Sequence, residues 1–271
     1  HLNWILLNQA TPDVIISFNS GICLVSMKEI YDAGMELVDN HEGFLAFVEK
    51  YPRVFERATY VENSMIFDIE APVDYAYLAN EDGLFQVGKI IYRVSYNYTI
   101  EIFDGDETKI PLILVYDGSL KDPSIKSEPT SSGAKTQLYY RIDEFSNGDR
   151  MVSRHNVVYV DGHYRYSVRT TGQTRVLGIW WQKKLNYIEV SWDDGYYRTC
   201  YYSPEYCPLL YPYFIPGWFF SATNKADLEY IFLTTQYSAL FDVSYCLATH
   251  KGQLTDGGVI KVRQADALED Y

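Results

Sequence analysis

Carboxylates, imidazoles and aromatic rings are the groups of this chain that could do chemistry, and their spacing narrows what that chemistry is. Asp104, Asp106 and Glu107 crowd one turn and could offer oxygens to Ca²⁺. The ligand spacing of an EF-hand loop is absent, so an acidic hairpin tip accounts for them and no metal is expected. Asp193 and Asp194 form a second carboxylate pair. Neighbouring strand or turn residues point in different directions, so the two do not converge on one glycosidic bond. Five histidines (His1, His41, His155, His163 and His250) make no HExxH or His-x-His pair. Neither a GxSxG elbow nor a Walker loop occurs. His155 and His163 flank Asp161-Gly162 and are expected at the surface. A triad assembled from distant residues stays open, because triads are defined by geometry rather than by order.

The aromatic residues are the other resource. Trp180, Trp181 and Trp192 fall in strand-like stretches. Of the adjacent pair Trp180 and Trp181, at least one must face away from the core, where it could stack on a sugar ring or a peptide side chain. Pro204, Pro208, Pro212 and Pro216 stand at a spacing of four, interleaved with Tyr206, Tyr211, Tyr213, Phe214, Trp218, Phe219 and Phe220. Proline fixes φ and donates no backbone hydrogen bond, so this segment is extended rather than helical or a central strand. It either covers an open sheet edge, the favoured use, or presents rigid aromatic anchors to a partner. The candidate binding residues are therefore Trp180, Trp181, Tyr206, Tyr211, Tyr213 and Trp218.

The elements that must position these groups change character along the chain. Residues 1–20 read as extended structure. Ser26-Met27-Lys28-Glu29 is a capping box, opening a helix from about Met27 to Val38. Asp39-Asn40 restarts a second helix that Pro52 ends. After the Asn80-Glu81-Asp82-Gly83 turn the apolar period becomes two, predicting strands over Leu84–Val94, Tyr96–Phe103 and Ile110–Tyr116. Residues 117–135 are rich in Ser, Pro, Lys and Asp and read as a connection. From Gln137 the chain reads as strand after strand, with Thr174–Gln182 as one of them and Asp161-Gly162 and Asp194-Gly195 as hairpin turns.

The predicted fold is α+β and β-rich. An N-terminal helical hairpin with a small antiparallel sheet occupies residues 1–116, and an antiparallel β-sandwich-like module occupies 136–271. The 26 tyrosines fit this expectation, since tyrosine suits a pleated, half-buried surface. With 47 % hydrophobic and 22 % charged residues the chain can bury cores. A net charge of −13 disfavours nucleic acid and anionic lipid as partners, and no apolar run reaches the ~20 residues of a membrane span. Cys23, Cys200, Cys207 and Cys246 lack any CxxC pair. A disulfide between Cys200 and Cys207, across a turn near Pro204, is permitted rather than required.

The stretch Leu78-Ala79-Asn80-Glu81-Asp82-Gly83-Leu84-Phe85-Gln86-Val87-Gly88-Lys89-Ile90-Ile91-Tyr92-Arg93-Val94 resembles a motif of an uncharacterised family, a domain of unknown function. Its members are secreted proteins and lipoproteins of Gram-negative gut anaerobes. The resemblance extends to the preceding amphipathic helix, to Phe44-Leu45-Ala46-Phe47, and to Tyr166-Ser167-Val168-Arg169 with Trp180-Trp181. It implies export, to the periplasm, the outer membrane or the medium, with a signal peptide absent from this sequence. It implies no activity and no cofactor. The expected function is non-catalytic binding of a glycan or protein partner at the cell envelope. A hydrolase of glycan or peptide with dispersed site residues, and a structural envelope component, are the alternatives.

Overall fold

The structure is a computed structural model that describes residues 25–59, 61–71, 73–95, 98–116, 120–129, 137–160, 163–200, 213–214, 218–234, 240–254 and 260–266. The expectations for residues 1–20, Tyr206, Tyr211, Cys207 and the four spaced prolines lie outside them. The protein is β-rich, with short helices and largely antiparallel sheets. Among the described residues no helix is long and apolar enough to cross a membrane. The chain divides into two compact units, His1–Val61 with Ile66–Ser132, and Glu62–Met65 with Gly133–Tyr271.

In the first unit, α1 (Met27–Met35) opens on the expected capping box. The Ser26 Oγ accepts from the Glu29 amide at 3.2 Å while Glu29 Oε2 accepts from the Ser26 amide at 2.8 Å. Helix α2 (His41–Lys50) begins at Asn40, whose side chain accepts from Gly43 N–H. The apolar faces meet an antiparallel pair, β1 (Phe55–Ala58) and β2 (Ser64–Ile69), in a ring cluster. Phe44 stands edge-on to Phe67 at 5.3 Å and to Phe55 at 6.0 Å, and the Tyr31 hydroxyl donates to the Phe67 carbonyl. Helix α3 (Val73–Ala76) then leads to the sheet β3 (Leu84–Val87), β4 (Ile90–Val94), β5 (Tyr98–Ile102) and β6 (Ile125–Pro129), antiparallel throughout.

Three local expectations in this unit are corrected. Leu84–Val94, read as one strand, is the antiparallel pair β3–β4, turned at Gly88 (φ 61°). Ile110–Tyr116, read as a strand, holds helix α4 (Ile110–Leu114). Pro111 sits in its first turn, where a missing N–H costs nothing, and Ile113 faces Ile91, Ile100 and Ile102. A short apolar run cannot be assigned by periodicity alone. Ile125–Pro129, inside the stretch read as a connection, pairs with β5, and Ile125 packs on the same isoleucine cluster.

The second unit is built around two long strands. β9 (His163–Val176) pairs along one edge with β8 (Arg150–Val160), which pairs with β7 (Gln137–Glu144). Its other edge is shared by β10 (Ile179–Gln182) and β14 (Asp227–Thr234). Ser64 and Met65 extend this edge by parallel pairing with Trp180 and Trp181. β11 (Leu185–Cys200) repeats the arrangement: β15 (Leu240–Gln253) lies on one edge, and β12 (Tyr213–Phe214) and β13 (Trp218–Lys225) share the other. β16 (Ile260–Asp266) completes this sheet beyond β15. Val168 of β9 packs with Val190 of β11 and Ala248 of β15, and Met151 of β8 packs with Leu185 and Ile188 of β11.

Three further readings change here. Thr174–Gln182 is two strands, because Leu177 (φ 51°) and Gly178 (φ 88°) turn the chain between the paired Val176 and Ile179. Two consecutive positive φ values make the type I′ geometry that matches strand twist. Asp194-Gly195, expected as a hairpin, lies inside β11, where the register against β15 shifts between Trp192 and Asp194. Residues that tolerate turn geometry serve a β-bulge equally well. Strand β8 starts at Arg150, so His155, expected at the surface beside a turn, lies well inside a strand.

Candidate functional site

Strand alternation sorts the second unit into faces of different chemistry. Ile188 and Val190 of β11 point into the core, so Tyr187, Glu189 and Ser191 point to the sheet's other face, where Tyr187 is half-buried and Glu189 and Ser191 are buried. Register then places cross-strand neighbours on the same outer face. One row runs Ser221 (β13), Glu189 (β11), Lys251 (β15), Val262 (β16), and the next runs Thr223, Tyr187, Gln253, Ile260. On the other side Phe219, Ser191 and Thr249 align.

The centre of this face is polar and tightly held. The Lys251 ammonium lies 2.7 Å from Glu189 Oε1, and the Tyr187 hydroxyl donates to Glu189 Oε2. Ser221 hydrogen-bonds the same hydroxyl. Burial would raise the Glu189 carboxyl, but the bonds from Lys251 and Tyr187 outweigh it and hold the group below its ordinary range. The bond to Glu189 raises the Tyr187 phenol. At the edges the face is apolar: Phe219 is 72 % exposed, and Ile260 and Val262 are exposed as well.

Behind this sheet lies a second constellation. His250 of β15 is fully buried and His155 of β8 nearly so, with their Nε2 atoms 3.4 Å apart. The Thr170 Oγ1 stands 2.8 Å from His250 Nδ1 and 3.2 Å from the Glu189 carbonyl oxygen. A hydroxyl has one proton, so when Thr170 gives it to that carbonyl its oxygen accepts from His250 Nδ1–H, and when it gives it to His250 Nδ1 the imidazole carries its own proton on Nε2, towards His155. Burial, with the charge of Arg141 added, pulls His155 down to about 4. Burial and the neighbouring His155 lower His250 well below the ordinary imidazole value. A hydroxyl beside an imidazole is the pairing of nucleophilic catalysis. With His250 at 0 % exposure, no substrate reaches this one in the structure described. The expected surface position of His155 is thereby corrected: β8 starts at Arg150, and alternation turns residue 155 to the same core side as Met151.

The opposite face of the β7–β8–β9–β14 sheet is charged and buried. Arg169 reaches Asp227 at 2.5 Å, Ser167 donates to Glu229 at 2.6 Å, and Arg154 lies 3.8 Å from Glu229. Arg150 donates from Nε to Gln173 and rests with its guanidinium carbon 4.0 Å from the Trp180 ring centre. Trp180 and Trp181 are both half-buried and project to opposite faces of β10. Of the other expected binding residues, Tyr213 is the backbone partner of Tyr197 and Trp218 of Trp192. Tyr206 and Tyr211 lie outside the described residues, as does the Cys207 half of the permitted disulfide.

In the first unit the Asp104 and Asp122 carboxylates converge on the Lys109 ammonium, which donates to Asp104 and lies 3.9 Å from Asp122. An internal cation thus occupies the acidic turn. Among the described residues no group of three or more metal-ligating side chains is assembled.

The sequence reading missed Tyr187, Glu189, Lys251 and the His155–His250 pair. Each pair member lies on a different strand, and only their register brings them together. The alternation of Tyr187, Glu189 and Ser191 with Ile188 and Val190 was the available signal, since it marks one polar and one apolar face.

No family model matches the chain, and no curated protein matches it. Among solved structures the chain is similar to a DUF4848 family protein from Bacteroides thetaiotaomicron. The two share 12 % identity over 97 % of this chain and 90 % of that one, with a TM-score of 0.28. That neighbour belongs to an uncharacterised family of a gut anaerobe, and at this TM-score the likeness carries no argument about mechanism.

Proposed function

We propose that this protein is a non-catalytic binding protein of the cell surface or periplasm, and that its second unit carries the contact face for a glycan or protein partner. We read that unit as an antiparallel β-sandwich-like module, on the strength of the core that β9 shares with β11 and β15. The observation that carries the reading is the outer face of the β13–β11–β15–β16 sheet. It presents an aromatic ring at Phe219 that is 72 % exposed, with Ile260 and Val262 also exposed, around a Tyr187–Glu189–Lys251 group whose carboxylate is buried and held by hydrogen bonds. Groups held in place before a partner arrives lose little entropy on binding. Export is supported by the resemblance of Leu78–Val94 to secreted proteins. The burial of His250 and Thr170 weighs towards binding over hydrolysis.

Co-sedimentation of the full chain with an envelope fraction from a Gram-negative gut anaerobe tests the reading. The wild type should pellet with the envelope, and Phe219→Ala combined with Tyr187→Ala should stay in the supernatant. A wild type that never pellets sinks the proposal, and so does steady release of reducing ends or peptides from the envelope.

A further inference from the structure

We propose that the tip of the β9–β10 hairpin, Val176-Leu177-Gly178-Ile179, inserts into the surface of a lipid bilayer, with Trp180 and Arg175 at the level of the headgroups. The contact is separate from the sheet face above and does not depend on it.

The tip is built against its own stability. Leu177 holds φ at 51° at the first position of a two-residue turn, and Gly178 follows at 88°. A bulky residue in the left-handed region is rare, and this turn favours asparagine there. The leucine is 98 % exposed, so no packing within the chain offsets the strain. Residues held in such regions cluster at functional sites. Val176 and Ile179, paired directly behind the turn, are exposed as well. Lone exposed apolar residues mean little, whereas three at one point, one of them strained, make a surface feature.

Shape and chemistry select lipid over protein. A stable protein interface buries about 800 Å² on each partner and is anchored by Trp, Tyr and Arg, with Leu and Val under-represented. A two-residue turn is narrow, and the side chains it carries here are purely aliphatic. Hydrocarbon asks for neither shape complementarity nor hydrogen bonds.

The residues behind the tip come in the order that a membrane interface requires. Arg175 and Trp180 pair at the next register position, with the guanidinium carbon 5.7 Å from the Trp180 ring centre. Arg175 is exposed and Trp180 half-buried. Tryptophan collects at membrane–water interfaces, and arginine keeps its charge in water while its stem lies along apolar surface. Leu177 stands two residues beyond this pair, about 7 Å at strand rise, within the ~5–10 Å to which interfacial segments bury their apolar side.

Charge makes this a contact with neutral lipid. Arg175 is offset by exposed Glu62, which adjoins the Asn63 whose carbonyl accepts from the Trp180 amide. The chain as a whole carries −13 and is repelled by anionic headgroups. The affinity is modest. A single myristoyl chain binds with about 10⁴ M⁻¹ and carries more carbon than these three side chains, so the tip acts at millimolar lipid.

Flotation of the full chain with phosphatidylcholine vesicles, with and without phosphatidylglycerol, tests this. The wild type should float at millimolar lipid, no better when phosphatidylglycerol is added, and vesicles brominated along the acyl chains should quench its tryptophan fluorescence. Leu177→Asp should weaken flotation about tenfold and abolish the quenching. Leu177→Asn should weaken it too while melting no lower than wild type, which separates a lost contact from a lost fold. Phe219→Ala combined with Tyr187→Ala should float like wild type, since the vesicles hold neither glycan nor protein, and so weak a contact does not retain that variant on a dilute envelope fraction. The proposal is overturned by a wild type that stays off phosphatidylcholine, by flotation that needs phosphatidylglycerol and vanishes with salt, or by a Leu177→Asp protein that floats like wild type. Loss of flotation in the Phe219 and Tyr187 double variant would move the contact to the sheet face and overturn it as well. Self-association in sedimentation velocity that Leu177→Asp abolishes, without any flotation, would reassign the tip to a second copy of this chain.

Discussion

Single residues show where local rules are obeyed and where they are strained. Ser26 is buried and makes both halves of its capping box, so Ser26→Ala should lower stability by about 1 kcal/mol, measured as a lower denaturant midpoint of the first unit. Leu177 presents the opposite case. It holds φ at 51° while 98 % exposed, so it carries the cost of a left-handed backbone without any packing in return. Asparagine is the residue this hairpin position favours, and Leu177→Asn should stabilise by about 0.5–1 kcal/mol. A midpoint that falls instead would mean the leucine side chain makes a contact that outweighs the strain.

At the scale of elements, turns and the packing between sheets carry the energy. Gly83 has φ of 78°, and a Cβ there would stand 2.4 Å from the Val94 carbonyl oxygen, across the end of the β3–β4 pair. Gly83→Ala adds positive-φ strain to that overlap and should cost at least about 1–2 kcal/mol, read as a lower melting midpoint. The imidazoles between the sheets make a pH prediction. The folded value of His155, about 4, lies below the ordinary 6.5, so the unfolded chain binds the proton first. Stability is therefore full above pH 6.5, declines as the pH falls towards 4, and loses about 3 kcal/mol over that window through His155 alone. His250 shifts in the same direction and adds to the decline. Urea midpoints between pH 5 and 7 should fall steeply in the wild type and less steeply in His155→Gln. Parallel slopes in the two proteins would assign the acid sensitivity elsewhere.

For the whole molecule, the division of the chain matters more than its length. Residues Glu62–Met65 belong to the second unit although the rest of that unit begins at Gly133. Ser64 accepts from the Gln173 amide, Asn63 accepts from the Trp180 amide at 2.8 Å, and Ser64 and Met65 pair with β10. A fragment starting at Gly133 leaves that strand edge bare and the Gln173 amide without this acceptor. Expressed alone, it should melt below the second unit of the intact chain or aggregate, since an uncovered strand edge is a template for association. A fragment that matches the intact chain in near-ultraviolet circular dichroism and melting would show that Glu62–Met65 contributes little.

What the sequence determined by itself is local. Hydroxyl, spacing and glutamate specify the cap at Ser26, Asn80–Gly83 specifies its turn, and the change from a helical period to a period of two marks the passage into a β-rich chain. Each of these depends on neighbours a few residues apart, which is the range over which sequence pattern is physical. The short run Ile110–Leu114 and the Asp194-Gly195 pair lie at the limit of that range, because the same residues serve a helix or a strand, a hairpin or a bulge. The candidate face and the histidine pair lie beyond it. Glu189 meets Lys251 from 62 positions away, and His155 meets His250 across 95. Only strand register, fixed by which apolar face the core accepts, decides which side chains stand together. The chemistry of this protein is therefore written in its pairing and not in any contiguous motif.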